Sequence, residues 1–213
     1  ALCTSNLPAV AVVPSENFNT VLWTGNDTDN RSITGVGFQP DFHWNKARNR
    51  SGGDGFYLYD AVRGATKVLY SNATAAEATE GNALQAFESD GFQMGSDSNS
   101  NSSSYNYVAW NWKANGSGSS NTDGSINTTK TSANVDAGFS ISTYTGNGAS
   151  SATIGHGLSK APEMIIQKRR NSTSSWQTYH SALGATKVVY INGTNAVASE
   201  SWPWNNTEPT ASV

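Results

Sequence analysis

The stretch Arg63-Gly-Ala-Thr-Lys-Val-Leu-Tyr-Ser-Asn-Ala-Thr74 returns 120 positions later as Leu183-Gly-Ala-Thr-Lys-Val-Val-Tyr-Ile-Asn-Gly-Thr194. Extended to Glu80 and Glu200, eleven of the 18 aligned positions are identical. The echo spreads outward from there. Phe18 to Trp23-Thr-Gly-Asn26 is answered by Phe139 to Tyr144-Thr-Gly-Asn147, and Ser32-Ile-Thr-Gly-Val-Gly-Phe38 by Ala152-Thr-Ile-Gly-His-Gly-Leu158. Pro40-Asp-Phe42 is answered by Pro162-Glu-Met164. A fixed period marks a structural unit, so the chain reads as two copies of one unit of about 120 residues, an ordinary domain size. The run Phe87 to Met94 and the run Tyr105 to Trp112 have no counterpart after Glu200, so the second copy is expected to be incomplete at its C-terminus.

Short apolar-alternating runs separated by Gly, Asn, Asp and Ser clusters read as strands and turns. In the first copy they predict strands over 18–23, 41–45, 55–59, 66–70, 91–94 and 105–113, with a tight turn at Asp90-Gly91. Both alternating faces of 105–113 are apolar, with Tyr105, Tyr107 and Ala109 on one and Val108, Trp110 and Trp112 on the other. Such a strand is covered on both sides, inside a sandwich or at a subunit contact. The segment 73–86 reads as a helical turn or two. The fold expected is all-β, two tandem jelly-roll-like β-sandwiches. Residues 1–14 form an N-terminal arm, 15–114 the first sandwich, 115–137 a Ser/Gly/Asn-rich linker region, and 138–213 the truncated second sandwich. The apolar segment Leu7-Pro-Ala-Val-Ala-Val-Val-Pro14 is a candidate donor strand for a neighbouring subunit.

Charged residues are only 14% of the chain, against about 25% in ordinary soluble domains, while aromatics reach 10% with seven Trp. Disordered chains lack aromatics and carry large net charge, so disorder is a poor reading. A net charge of −3 leaves no electrostatic footprint for nucleic acid, and no apolar run approaches a membrane span. Cys3 stands alone and forms no internal disulfide. The chain begins at Ala1 without Met, which reads as upstream processing or an incomplete N-terminus, and no signal peptide is visible. An uncharged polar surface over an aromatic core suits an extracellular or virion-surface location.

Five motifs together resemble a known family: Val13-Pro-Ser-Glu-Asn-Phe-Asn-Thr-Val-Leu-Trp-Thr-Gly-Asn26, Ser32 to Phe42, Val62-Arg-Gly-Ala-Thr-Lys67, Ser89-Asp-Gly-Phe92 and Tyr107-Val-Ala-Trp110. Their order is similar to that of an uncharacterised domain found in tandem in aquatic bacteriophage proteins labelled tail, tail-fibre or virion structural proteins. That family resembles concanavalin A-like jelly rolls. The resemblance implies a structural or adhesive role and brings no catalytic residues with it.

The residues themselves raise further candidates. Concanavalin A-like glycosidases carry Glu-x-Asp-x-x-Glu on a strand. Here Glu88-Ser-Asp90-Gly-Phe-Gln93 has Gln in the third place, and the turn accounts for Asp90, so no catalytic residue is assigned and the enzyme reading is a relic at best. His43, His156 and His180 are scattered without metal-ligand spacing. Asp27 and Asp29 in Asn26-Asp-Thr-Asp-Asn30 offer oxygen ligands to Ca2+, against which stands a polar hairpin tip, because the second copy keeps no carboxylate there. No other cofactor is implied. Trp176, Tyr179, Trp202 and Trp204 crowd the second copy, as sugar-stacking platforms or as core and interface residues. Ten Asn-x-Ser/Thr sequons occur, Asn26, Asn72 and Asn192 among them, and glycosylation needs a source with that pathway. The function expected is a non-enzymatic structural protein of a virion tail or fibre, or of an extracellular filament, that self-associates through strand exchange. The runner-up is a carbohydrate-binding adhesin with surface glycans as partners.

Overall fold

The structure, a computed structural model, describes residues 12–51 and 55–213. Cys3 and most of the N-terminal arm, including the start of its donor segment, lie outside the described residues. The described chain is all-β: its one helical element is a 3-10 turn, Pro14–Glu16, and fifteen strands follow.

The first copy builds two facing sheets. Six strands, β1 (Phe18–Thr24), β9 (Asn106–Trp112), β3 (Phe42–Ala47), β4 (Tyr57–Asp60), β5 (Lys67–Tyr70) and β6 (Ala78–Thr79), lie side by side in that order. The facing sheet runs β2 (Arg31–Thr34), β8 (Gly91–Met94), β7 (Leu84–Glu88). All pairings are antiparallel. Side chains alternate across a strand, so Trp23, Tyr107, Ala109, Ala47, Tyr57, Tyr59 and Val68 of the large sheet meet Ile33, Phe92, Met94 and Leu84 of the small one in a single core. Trp23 stacks on Tyr107 at 5.2 Å and meets Phe92 edge-on at 5.5 Å. This is a β-sandwich interior. β9 sits between β1 and β3 and was the strand expected to be covered on both faces; its inner face is buried and its outer face is half-buried.

The second copy repeats part of this. The strands β13 (Gln177–His180), β14 (Lys187–Tyr190) and β15 (Ala198–Ser199) pair in the same register, shifted by 120, as β4, β5 and β6. The matching extends to single bonds. Lys67 N donates to Gly64 O and Lys187 N to Gly184 O, both at 3.1 Å, in turns whose glycines hold φ of 103° and 77°, where a Cβ would be strained. Lys67 Nζ reaches Thr79 and Lys187 Nζ reaches Ser199, each at 2.7 Å. β12 (Met164–Gln167) adds to β13 as β3 adds to β4.

One expectation is corrected. Residues 73–86 hold no helix but turns, β6 and the start of β7, because Leu84 and Phe87 find partners in β8 that local propensity does not register. The linker region 115–137 contains a strand, β10 (Lys130–Asn134), paired with β11 (Phe139–Thr143), and Ser119 bridges to Thr131. Ser132 Oγ accepts the Asn115 amide at 2.7 Å. Hydrogen bonds from polar side chains hold this Ser/Gly/Asn-rich region.

Candidate functional site

Apolar and charged residues converge where the two copies meet. Trp176 stands just before β13, held because Asn192 Oδ1 accepts its backbone amide at 2.7 Å, the same bond that Asn72 makes to Phe56 in the first copy. Its indole is buried against Leu58 and Leu69, with Phe42, Trp44 and Ile191 alongside. The indole Nε1 donates to Tyr70 O at 2.9 Å and Ala73 O at 3.1 Å, so the ring is locked across the joint. Beside it Glu77 accepts from two arginines. Arg63 Nη1 lies at 3.2 Å, and Arg170 Nε and Nη2 at 2.8 and 2.9 Å. Arg63 is itself fixed by Asp60 Oδ2 at 2.5 Å. Burial raises the Glu77 pKa, but the hydrogen bonds from Arg170 and Arg63 outweigh it and hold the carboxyl below its ordinary range. Backbone bonds complete the seam, from Glu77 N to Arg170 O at 2.8 Å and from Ser174 N to Thr74 O at 2.9 Å.

The outer face of the six-stranded sheet carries many apolar side chains, with Thr20, Thr24, Asn106 and Lys46 among them. Phe42, Trp44, Leu58, Leu69, Trp110, Trp112, Phe18 and Leu22 share it by alternation with the inward residues. The second copy covers one part: Phe139 packs on Phe42 at 5.8 Å and on Trp112 at 6.0 Å, and Trp176 covers Leu58 and Leu69. The rest is open. Leu22 is 58% and Phe18 38% exposed, with Trp110 and Val108 half-buried beside them.

Within the sandwich an unexpected polar row crosses the core. His43, Asn45 and Asn111 point inward and are buried. His43 Nδ1 donates to Asn111 Oδ1 at 2.8 Å, the tautomer this network requires, and Asn111 Nδ2 donates to Asn19 O at 3.2 Å. His43 Nε2 and both amide atoms of Asn45 have no protein partner. Burial lowers the His43 pKa from 6.5 to about 4, with the Asn111 bond pulling the other way. The imidazole is neutral and sealed against Phe92 at 4.3 Å, so it serves packing rather than proton transfer with solvent.

The remaining sequence candidates fall in separate places. Tyr179 is buried and its hydroxyl donates to Glu208, while Trp204 meets Tyr179 edge-on at 5.9 Å and donates from Nε1 to Lys187 O at 3.0 Å. Those three bind residues 200–213 across the inner face of the β12–β15 sheet. Trp202 is 61% exposed, its Nε1 on Glu200 at 3.0 Å. The four aromatics therefore do not form one platform. Asp29 accepts from Gln85 at 2.8 Å and Asn30 at 2.9 Å, and Asp27 adopts φ 58°. Among the described residues no three His, Cys, Asp or Glu side chains gather to hold a metal ion. Asn26 Oδ1 accepts from Thr28 N and Oγ1, and Asn72 Oδ1 and Asn192 Oδ1 accept the strand-start amides described above, so the side-chain oxygen of each of these sequon asparagines has a structural partner. Glu88 accepts from Ser32 at 2.9 Å, and the Asp90 carboxylate takes the amides of Gly35 and Gly37 at 3.2 and 2.6 Å, fixing a loop.

Sequence reasoning missed the Arg63–Glu77–Arg170 seam and the His43 row. A signal for the first existed. Arg63 and Glu77 both change to apolar residues in the second copy, Leu183 and Val197, and those two are 39% and 48% exposed. A salt bridge that is present only where a second unit docks marks the docking side.

Compared with known proteins, residues 13–213 match the family model described as Domain of unknown function (DUF7483). No curated protein and no solved structure matches.

Proposed function

We propose that this chain, which belongs to the DUF7483 family of unknown function, is a non-enzymatic structural protein of a virion tail or fibre, or of an extracellular filament, and that it works by self-association. In this reading its two copies are tandem jelly-roll-like units of concanavalin A-like type, displayed on a virion or cell exterior. The observation that supports it is the outer face of the large sheet. One side of that face already serves as a joint within the chain, taken by Phe139 and Trp176, and exposed apolar side chains continue past the joint at Phe18 and Leu22. Exposed large apolar side chains beside a covered apolar face suit an interaction site. The test is electron microscopy of the purified chain. Ordered oligomers or filaments support the reading, and monodisperse single chains at every concentration overturn it.

A second reading, a carbohydrate-binding adhesin, is favoured by one residue. Trp202 holds its indole open to solvent beside Glu200, a ring face with a polar neighbour, which suits a sugar. A glycan array decides this: saturable binding that Trp202→Ala abolishes supports the adhesin, and an array without binders removes it.

A further inference from the structure

We propose that the core of the first sandwich contains an internal water site, with at least one ordered water molecule bound between His43, Asn45 and Tyr59. The site and the assembly reading are independent, and neither needs the other.

The three side chains occupy neighbouring rungs of one strand pair. His43 and Asn45 lie two residues apart on the inner face of β3, and their partners on β4 are Tyr59 and Tyr57. Residues directly opposite on such a pair have Cβ atoms about 5 Å apart. The rings of His43 and Tyr59 stand 6.1 Å apart, tilted by 53°. All three residues are sealed from solvent, His43 and Tyr59 at 0% exposure and Asn45 at 1%. Among the described residues four of their polar atoms have no protein partner: His43 Nε2, Asn45 Oδ1, Asn45 Nδ2 and the Tyr59 hydroxyl. Native interiors leave few such atoms bare, because each gives up its hydration without return. Four together on adjacent rungs point to a bound partner.

The second copy meets the same need from within the chain. There β12 and β13 set Ile165 opposite Tyr179 and Gln167 opposite Gln177, where the first copy sets His43 opposite Tyr59 and Asn45 opposite Tyr57. Gln167 Nε2 donates to Tyr144 OH, and Tyr179 OH donates to Glu208. Ile165, in the place of His43, has no side-chain polar atom to satisfy. In the first copy the place of Tyr144 is taken by Trp23, whose indole carries a donor and no acceptor. That indole stacks on Tyr107 at 5.2 Å. Its own unpaired Nε1 belongs to the next rungs, beside Tyr107 and Ala47. The amide of Asn45 and the hydroxyl of Tyr59 thus lack the partners that their counterparts have.

The chemistry of the four atoms selects water. With Nδ1–H given to Asn111 Oδ1, His43 Nε2 is an acceptor, and Asn45 Oδ1 is a second one. Asn45 Nδ2 and the Tyr59 hydroxyl are donors. A buried water makes about three hydrogen bonds and both donates and accepts, so it matches such a mixed set. An ion matches it poorly. The core residues packed around the site are uncharged, and a bare charge in such a core is costly. Space lies beside Asn45, because its partner on β9 is Ala109, the smallest of the inward residues Tyr107, Ala109 and Asn111. Water brings no counter-charge, so it satisfies the neutral imidazole without favouring a second proton.

The experiment is magnetic relaxation dispersion of the water oxygen in a solution of the full chain, which counts long-lived internal waters and is blind to exchanging hydroxyl protons. The wild type is compared with Asn45→Leu, which keeps the side-chain size and removes both amide atoms. The expected result is the loss of at least one long-lived water in the variant, together with an NOE from water to the Asn45 side-chain amide protons in the wild type. Equal counts of long-lived water in the two proteins overturn the site, and so does a wild type without that NOE. Should Asn45→Leu fail to fold, Tyr59→Phe takes its place, since it keeps the ring and removes a single oxygen. It should shorten the residence of the water and weaken the NOE at Asn45, and an NOE of undiminished strength overturns the site.

Discussion

Lowering the pH from 7 to 5 should cost this protein about 2 kcal/mol of stability through His43 alone. The ring is fully buried, its Nδ1 donates to Asn111, and its Nε2 has no protein partner, so a second proton there would be an unpaired buried charge. Its pKa falls from 6.5 to about 4. The unfolded chain therefore binds the proton more tightly than the folded one. The contribution is complete above pH 6.5 and is lost as the pH falls toward 4, reaching about 3 kcal/mol at that limit. Urea unfolding at a series of pH values measures it. Glu77, whose pKa is also held low, loses its contribution in the more acid part of the same range, so the wild type must be compared with His43→Gln. Gln keeps a donor for Asn111 and cannot titrate. The two stability curves should converge by about 2 kcal/mol between pH 7 and pH 5. Parallel curves, or a His43 ring resonance titrating near the ordinary histidine value, refute the argument.

Other consequences concern the joint. Trp176→Ala removes a buried indole and takes the indole donor from Ala73 O, while Tyr70 O keeps the Ala73 amide, and should destabilise by about 3–5 kcal/mol in urea unfolding. Glu77→Gln leaves Arg63, whose side chain is 4% exposed, short of one partner, and should cost about 2–3 kcal/mol, whereas Arg170→Ala, at a side chain 43% exposed, should cost about 1 or less. Limited proteolysis should spare residues 130–134, where β10 is paired, and cut first in the exposed turns ahead of it; early cleavage within β10 would contradict the pairing.

The architecture was legible in the sequence wherever alternation or duplication left a mark. Six strands of the first copy were expected near where they lie, because runs such as Phe18 to Trp23 and Tyr105 to Trp112 alternate strongly. The strands that were missed carry no such mark. β10 is Lys-Thr-Ser-Ala-Asn, entirely without large apolar residues, and is held by its pairing and by side-chain bonds such as Thr131 Oγ1 to Ser142. β2 has only Ile33 to bury, and β7 follows an Ala-rich stretch that mimics a helix until Leu84 and Phe87 meet β8. The site was partly legible. Trp176 stood out by type, but its place at the joint follows only from aligning it with Phe56. His43 gave no signal, since a lone histidine in a strand does not announce whether its ring points inward.

Sedimentation velocity of the full chain beside its Leu22→Lys variant, over a wide concentration range, tests the assembly claim most directly. Leu22 lies on the open part of the outer face and makes little core contact, so the variant should fold with unchanged circular dichroism. The account predicts that the wild type sediments as species larger than the 22.5 kDa chain, growing with concentration, and that the variant shifts toward the single chain. A wild type that stays at the mass of one chain throughout, or a variant that assembles as readily, contradicts it.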